Sequence, residues 1–240
     1  MLDIENRESS IGKRGGNMCG RFTISTRKEK IEDAFDGAAV DEWRGPRYNV
    51  APSQDVPVML NDGSRRVVWA RWGLVPHWAK DPAIGNKMIN ARAETLHEKP
   101  SFRKPFRSQR CLIIADGFYE WRTVPGQRVR TPLYIRLKSG DPFAFAGLWD
   151  RWKSPEGPDL LSCVIVTTTP NDLLSTIHDR MPVILGKETR NTWLRQDDVP
   201  LETLQACLAP YPAAEMTAHP VSTRVNSPRV DEPDLIIPNL

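Results

Sequence analysis

The chain has 240 residues, 40% of them apolar and 26% charged, with a net charge of +3. That size and mix give a soluble globular protein with a real core and exclude a membrane-spanning one, since no apolar run nears the ~18–20 residues required. Four scattered cysteines, with no CxxC pair, no zinc-like spacing and no secretion signal, point to a cytoplasmic protein with reduced thiols, and so mild a charge neither demands nor excludes a polyanion.

Met1 to Asn17 is polar, has no apolar h-region and reads as a disordered leader or a start placed too early. Met18-Cys19-Gly20-Arg21-Phe22 follows. If Met18 is removed, Cys19 carries a thiol and a free α-amine, with ordinary pKa values of ~8.5 and ~7.7–8.0. Such a 1,2-aminothiol captures aldehydes: the amine forms a Schiff base and the thiol closes a five-membered thiazolidine. An internal Cys19 would be only a thiol, or a buried apolar residue.

Thr26 to Glu29 has the form of a capping box. It opens a short amphipathic helix through Ile31, Ala34 and Phe35 that Gly37 can end. Arg44–Pro52 is extended. Val56–Leu60 and Arg66–Trp72, joined through Asn61-Asp62-Gly63, predict a hairpin, which exits through the aromatic loop Trp72–Trp78. Asn90–Thr95 reads as strand to helix. Lys99–Arg110 holds five basic residues, no acid, and Phe102 and Phe106. Cys111–Ala115 is a buried strand, and Phe118–Trp121 follows Asp116-Gly117. Pro132–Leu137 and Pro142–Trp149 predict a second hairpin around Ser139-Gly140-Asp141. Leu160–Thr168 is a strand, a short helix runs from Asn171 toward His178, and Met181–Leu185 is again strand. Glu188–Leu194 and Leu201–Leu208 are short helices, and the chain from Pro210 reads as irregular. Many short strands with 21 prolines and few helices give an α+β fold on a curved, barrel-like, mainly antiparallel sheet.

Four groups stand out as carriers of chemistry. They are Cys19; Asn90 in NARAE; Glu120 in GFYEW, where aromatic neighbours tend to raise a carboxyl pKa toward acid–base duty; and His178 in IHDRMP. Each has a structural alternative: a buried cysteine, a helix cap, a surface pair with Arg122, a hydrogen-bonded histidine. Each also has an arginine two residues on (Arg21, Arg92, Arg122, Arg180), which on a strand shares its face and suits phosphates. Trp72, Trp78, Phe102 and Phe106 near basic residues have the composition of a stacking platform for single strands. His77, His97, His178 and His219 are too scattered for a metal site, and no cofactor is expected.

Seven ordered motifs carry a resemblance: MCGRF, YNVAPSQ (Tyr48–Gln54), RWGLVPHW (Arg71–Trp78), NARAET (Asn90–Thr95), RCLIIADGFYEW (Arg110–Trp121), FAFAGLW (Phe143–Trp149) and IHDRMPVIL (Ile177–Leu185). Together they resemble the SOS response-associated peptidase (SRAP) family, the abasic-site processing proteins. The resemblance implies a single domain over 18–225, with 1–17 a leader and 226–240 an irregular tail. It implies capture of the ring-opened abasic aldehyde in single-stranded DNA by an N-terminal Cys19, as a thiazolidine crosslink. Glu120 would hold the α-amine and move protons, His178 would help open the sugar, and Asn90 would position it. Arg21, Arg92 and Arg180 would contact phosphates. Autoproteolytic exposure of Cys19 belongs to the same implication, as do action as a monomer and association with the nucleoid through DNA. Two readings stand against it: a Cys–His thiol peptidase using Cys19, His178 and Asn90, and a non-catalytic module binding single strands through arginines and tryptophans.

Overall fold

The computed structural model describes residues 19–124, 126 and 129–239. In chain order the elements are β1 (Phe22–Ile24), α1 (Lys28–Ala34), β2 (Arg47–Val50), β3 (Asp55–Leu60), β4 (Val67–Trp72), β5 (Asn90–Arg92), α2 (Pro100–Ser108), β6 (Arg110–Ala115), β7 (Gly117–Arg122), β8 (Thr131–Leu137), β9 (Phe143–Trp152), β10 (Leu160–Thr168), α3 (Asp172–Ser175), β11 (Met181–Pro182), β12 (Ile184–Leu185), α4 (Lys187–Trp193), α5 (Leu201–Ala206) and β13 (Met216–Pro220). Short 3-10 turns lie at Pro82–Lys87, Ala93–Thr95, Ala213–Glu215, Thr223–Asn226 and Pro233–Ile236.

Two sheets form. One runs β13-β8-β7-β1-β2. The other runs β11-β10-β4-β3-β6-β9-β12, and an added β10–β9 pairing closes β10, β4, β3, β6 and β9 into a barrel. Only β10–β4 and β10–β5 are parallel pairings between named strands. This is the α+β, barrel-like architecture expected. The hairpin of β3 and β4 is present, with Met59 opposite Val67.

Aromatic side chains join the sheets. Phe22 of β1 packs on Trp72 of β4 at 5.2 Å and on Phe145 of β9 at 5.8 Å, and Phe118 of β7 meets Phe145 at 5.9 Å. All four rings are buried, and each contributes roughly 2–3 kcal/mol of burial. One cation lies inside. Arg110 is fully buried and donates to the carbonyls of Phe106, Arg107, Trp193 and Arg195. Those carbonyls belong to the C-terminal ends of α2 and α4, where the negative helix poles compensate a buried positive charge.

Three local expectations are corrected. Pro132–Leu137 and Pro142–Trp149 do not pair with each other. β8 is satisfied by β7 and β13, while the almost wholly buried β9 needs central neighbours and takes β6, β10 and β12. The Ser139-Gly140-Asp141 turn, with Gly140 at φ +71°, links the sheets. Thr26 does not cap α1 either, because its amide and hydroxyl both donate to Asp116 Oδ2. That carboxylate also accepts from Ser25, and through Oδ1 from Thr23. A buried carboxylate gathering these donors outcompetes a local cap.

Last, the chain beyond Pro210 is not wholly irregular. β13 continues the first sheet in register, His219 opposite Tyr134. After it, Val221, Val225 and Leu235 bury against Tyr119 and Tyr134 in a second small core. Asp231 then holds Arg47 and the backbone amides of Tyr48 and Asn49. A terminal strap, from Val221 on, is thereby laced to β2.

Candidate functional site

β1 runs antiparallel to β7 with Phe22 opposite Phe118, so the chain entering β1 passes over Glu120. The Cys19 N–H donates to Glu120 Oε1 at 2.8 Å. Both residues are buried, at 1% and 2% exposure. Cys19 takes φ +45°, a left-handed conformation that costs a non-glycine residue on the order of 1 kcal/mol. Burial first, then the Glu120 charge, push the Cys19 thiol well above its ordinary range. Burial likewise raises Glu120 to about 8, against the pull of hydrogen bonds from the Cys19 and Trp121 amides. At neutral pH the thiol and most of the carboxyl are protonated, and the carboxyl stands at the cysteine nitrogen.

The other candidates gather at the C-terminal end of β10. β5 pairs with it in parallel, Ile165 beside Asn90 and Thr167 beside Arg92. β11 pairs on the other side, Thr168 opposite Met181. Asn90 is half-buried and Arg92 exposed, and His178 and Arg180 lie just before β11. The His178 Nδ1 accepts from the Arg180 N–H at 3.2 Å. Burial lowers the His178 pKa, opposed by Asp179. Asp179, whose Oδ1 lies 2.8 Å from Nδ1, is 89% exposed, so water screens its pull and it does not reverse the lowering. The two clusters share charges: Asp179 pushes Glu120 up, and Arg130 acts on both Glu120 and His178.

The arginines and tryptophans divide. The Arg180 guanidinium, only 12% exposed, grips Glu94 through two bonds and the Thr167 carbonyl through a third. That hydrogen bond holds Glu94 below the usual carboxylate range. Arg21 donates to Asn49 Oδ1 and to the carbonyls of Val225 and Asn226, so it fastens the terminal strap. Arg92 alone of the three stands out in solvent. Trp72 is 0% exposed and bonds the Ile89 carbonyl; it has no face for a base, which corrects its expected place in a stacking platform. Trp78 is 51% exposed. Among the described residues no group of three or more His, Cys, Asp or Glu is placed to hold a metal.

Three participants escaped sequence reasoning: Arg130, Asn49 and Asp231. In the sequence Asn49 stands out only as part of YNVAPSQ. Its amide donates to three strap carbonyls, contacts some 180 residues away in sequence that no local pattern encodes.

A barrel flanked by a second sheet, with a cysteine nitrogen held by a buried glutamate and an asparagine and histidine on the neighbouring strand ends, defines the class. Residues 18–228 match the model of the SOS response associated peptidase (SRAP) family, and the chain belongs to that family. Among its relatives, the abasic site processing protein YoqW of Bacillus subtilis (strain 168) is 50% identical over 225 residues, covering 91% of this chain and 99% of that one. The abasic site processing protein HMCES of Pongo abelii is 34% identical over 271 residues, covering 92% of this chain and 76% of that one. A solved structure of a protein from Bacteroides thetaiotaomicron superposes with a TM-score of 0.80 at 28% identity, covering 92% of this chain and all of the other.

Proposed function

We propose that this protein processes abasic sites, as the names of its relatives state of them, by trapping the abasic aldehyde in single-stranded DNA on Cys19. One observation carries the reading: the buried Glu120 carboxyl lies 2.8 Å from the Cys19 nitrogen. A thiol peptidase needs its base at sulfur and a depressed thiol pKa; here burial holds the thiol protonated. A passive strand-binding module leaves the Cys19–Glu120 pair without a purpose.

The reaction needs a free α-amine, so the active form begins at Cys19, with the Met18–Cys19 bond cut whether synthesis starts at Met1 or at Met18. The amine adds to the aldehyde carbon of the opened sugar. Glu120 relays protons as the carbinolamine loses water to give an imine. The Cys19 sulfur then adds to the imine carbon, its proton passes to nitrogen, and the thiazolidine is closed with one water released overall. Ring closure removes the imine that would otherwise drive β-elimination and strand scission. His178, neutral in its pocket, serves as the acid–base group that opens the hemiacetal, and Asn90 positions the sugar. Arg92 and the exposed face of Trp78 hold the flanking strand.

Uracil-glycosylase-treated single strands, run on a denaturing gel, test this. The expected result is a heat-stable protein–DNA band, absent for Cys19→Ala, which still binds the strand. A persistent band with Cys19→Ala removes the nucleophile from consideration. Intact mass of protein made from its native gene should show a species starting at Cys19; a crosslinking species that retains Met1–Asn17 contradicts the amine's role.

A further inference from the structure

The basic stretch Lys99–Arg110 finds its place in α2. Phe102, Pro105 and Phe106 turn inward, and Phe106 packs on Trp193 at 5.9 Å. Arg103, Lys104 and Arg107 are exposed on one side of the helix, at spacing i, i+1, i+4. With Ser108 they line a single shallow surface groove. Glu98, the acid nearest in sequence, pairs with His97 instead, and none of the three cations has a carboxylate partner among the described residues. A face kept only for solubility mixes both signs of charge; this one does not.

The helix leads to a second built feature. Gln109, just past its end, donates to Asp150 Oδ1 at 3.1 Å. Asp150 is 3% exposed and also accepts from the Arg151 amide, from the His77 amide at 2.8 Å and from His77 Nδ1 at 3.0 Å. A carboxylate accepting from Nδ1 puts the ring proton there and holds the imidazole in one orientation. His77 is 46% exposed, and beside it stands Trp78. Lys80, Arg151 and Lys153 are exposed around this loop, while the nearby Asp81 is engaged with the Ala83 amide. Along β10, Asp150 pairs with Ser162 and Asn90 with Ile165. Three residues of β10, about 10 Å, separate the position beside Asp150 from the position beside Asn90.

We infer that the α2 groove, linked through Gln109 and Asp150 to the His77–Trp78 loop, forms a second nucleic-acid surface, which takes the sugar–phosphate backbone of the strand beyond Trp78 as it leads away from Cys19. For its ligand the inference rests on the strand-capture reading. The cations supply phosphate contacts, the tryptophan a base platform, and the Asp150-held histidine a rigid edge between them. The surface is sequence-indifferent, because nothing on it is arranged to read base edges.

Salt-dependent binding of undamaged single strands tests it. For an oligonucleotide of about 30 nucleotides, the combined change Arg103→Glu, Lys104→Glu and Arg107→Glu should weaken binding about tenfold at low salt and flatten log K against log salt by about 2, the value for three lost phosphate contacts. Adduct formation on an abasic strand at saturating concentration should stay within about twofold of the parent, because lost uniform binding raises the strand concentration needed and leaves the chemical step alone. Should the acidic variant melt lower, Arg103→Gln, Lys104→Gln and Arg107→Gln carries the test, with the same direction and a smaller affinity loss. Unchanged slopes and affinities in a folded variant overturn the second surface, even when both proteins crosslink. A flattened slope with no adduct in either protein upholds the surface and sinks the capture chemistry.

Discussion

Glu120 shows what burial does to one carboxyl. Its folded-state pKa of about 8 compares with about 4.3 for a free glutamate. Between those values the folded chain keeps a proton that the unfolded chain releases, so stability falls as pH rises through that window and levels off above it. Glu120→Gln removes the term. Its stability relative to the parent, measured by urea unfolding, should improve by on the order of 1 kcal/mol per pH unit from about pH 5 to 8, while adduct formation drops on the order of 100-fold. A difference that stays flat with pH contradicts the burial argument. Its aromatic neighbours hinted at this residue, while the Cys19 contact, which spans 101 positions, was implied by the family resemblance and by no local pattern. The tryptophans teach the same lesson. Trp72 and Trp78 look alike in a motif, yet one is sealed and the other open. Trp72→Ala should cost about 3–5 kcal/mol of stability; Trp78→Ala should cost little stability and about 1–3 kcal/mol of strand binding. Melting curves and strand titrations on both variants separate the roles, and a reversed pattern would refute the assignment.

At the scale of elements, local signals succeeded where partners are near and failed where they are far. The β3–β4 hairpin was legible because its register is set within one turn. Thr26 satisfied every local rule for a cap, but Asp116, arriving from the β6–β7 junction, took its amide and hydroxyl. Asp116 thus pins the entry of α1 to the point where the chain crosses between sheets. Asp116→Ala leaves several donors near Thr23, Ser25 and Thr26 without their acceptor, and should destabilise the protein by at least about 3 kcal/mol. Asp116→Asn, which keeps an acceptor oxygen, should lose less. Equal losses in denaturant midpoints would mean that packing rather than hydrogen bonding sets the cost. The mistaken β8–β9 hairpin has a related cause. A three-residue turn between two strands is compatible with pairing, but burial of β9 on both faces demands neighbours that only the barrel supplies.

For the molecule as a whole, fold class was legible and strand order was not. The count of short strands and prolines implied a curved sheet, and the seven motifs implied the family. The closing β10–β9 contact and the β13-β8-β7-β1-β2 order are set by long-range burial. The strap shows the consequence for stability. Ending the chain at Arg229 deletes the Asp231 bonds and the buried Leu235, and should cost at least about 3 kcal/mol; thermal melts that match the full chain would reduce the segment to an appendage. The same lacing also has a timetable. Arg21, two positions from Cys19, is fastened to Val225 and Asn226, which leave the ribosome some two hundred residues later. At about 5–20 residues per second, the nascent chain waits on the order of ten seconds or more before this contact can form. Until synthesis is nearly finished, the segment around Cys19 stays unassembled.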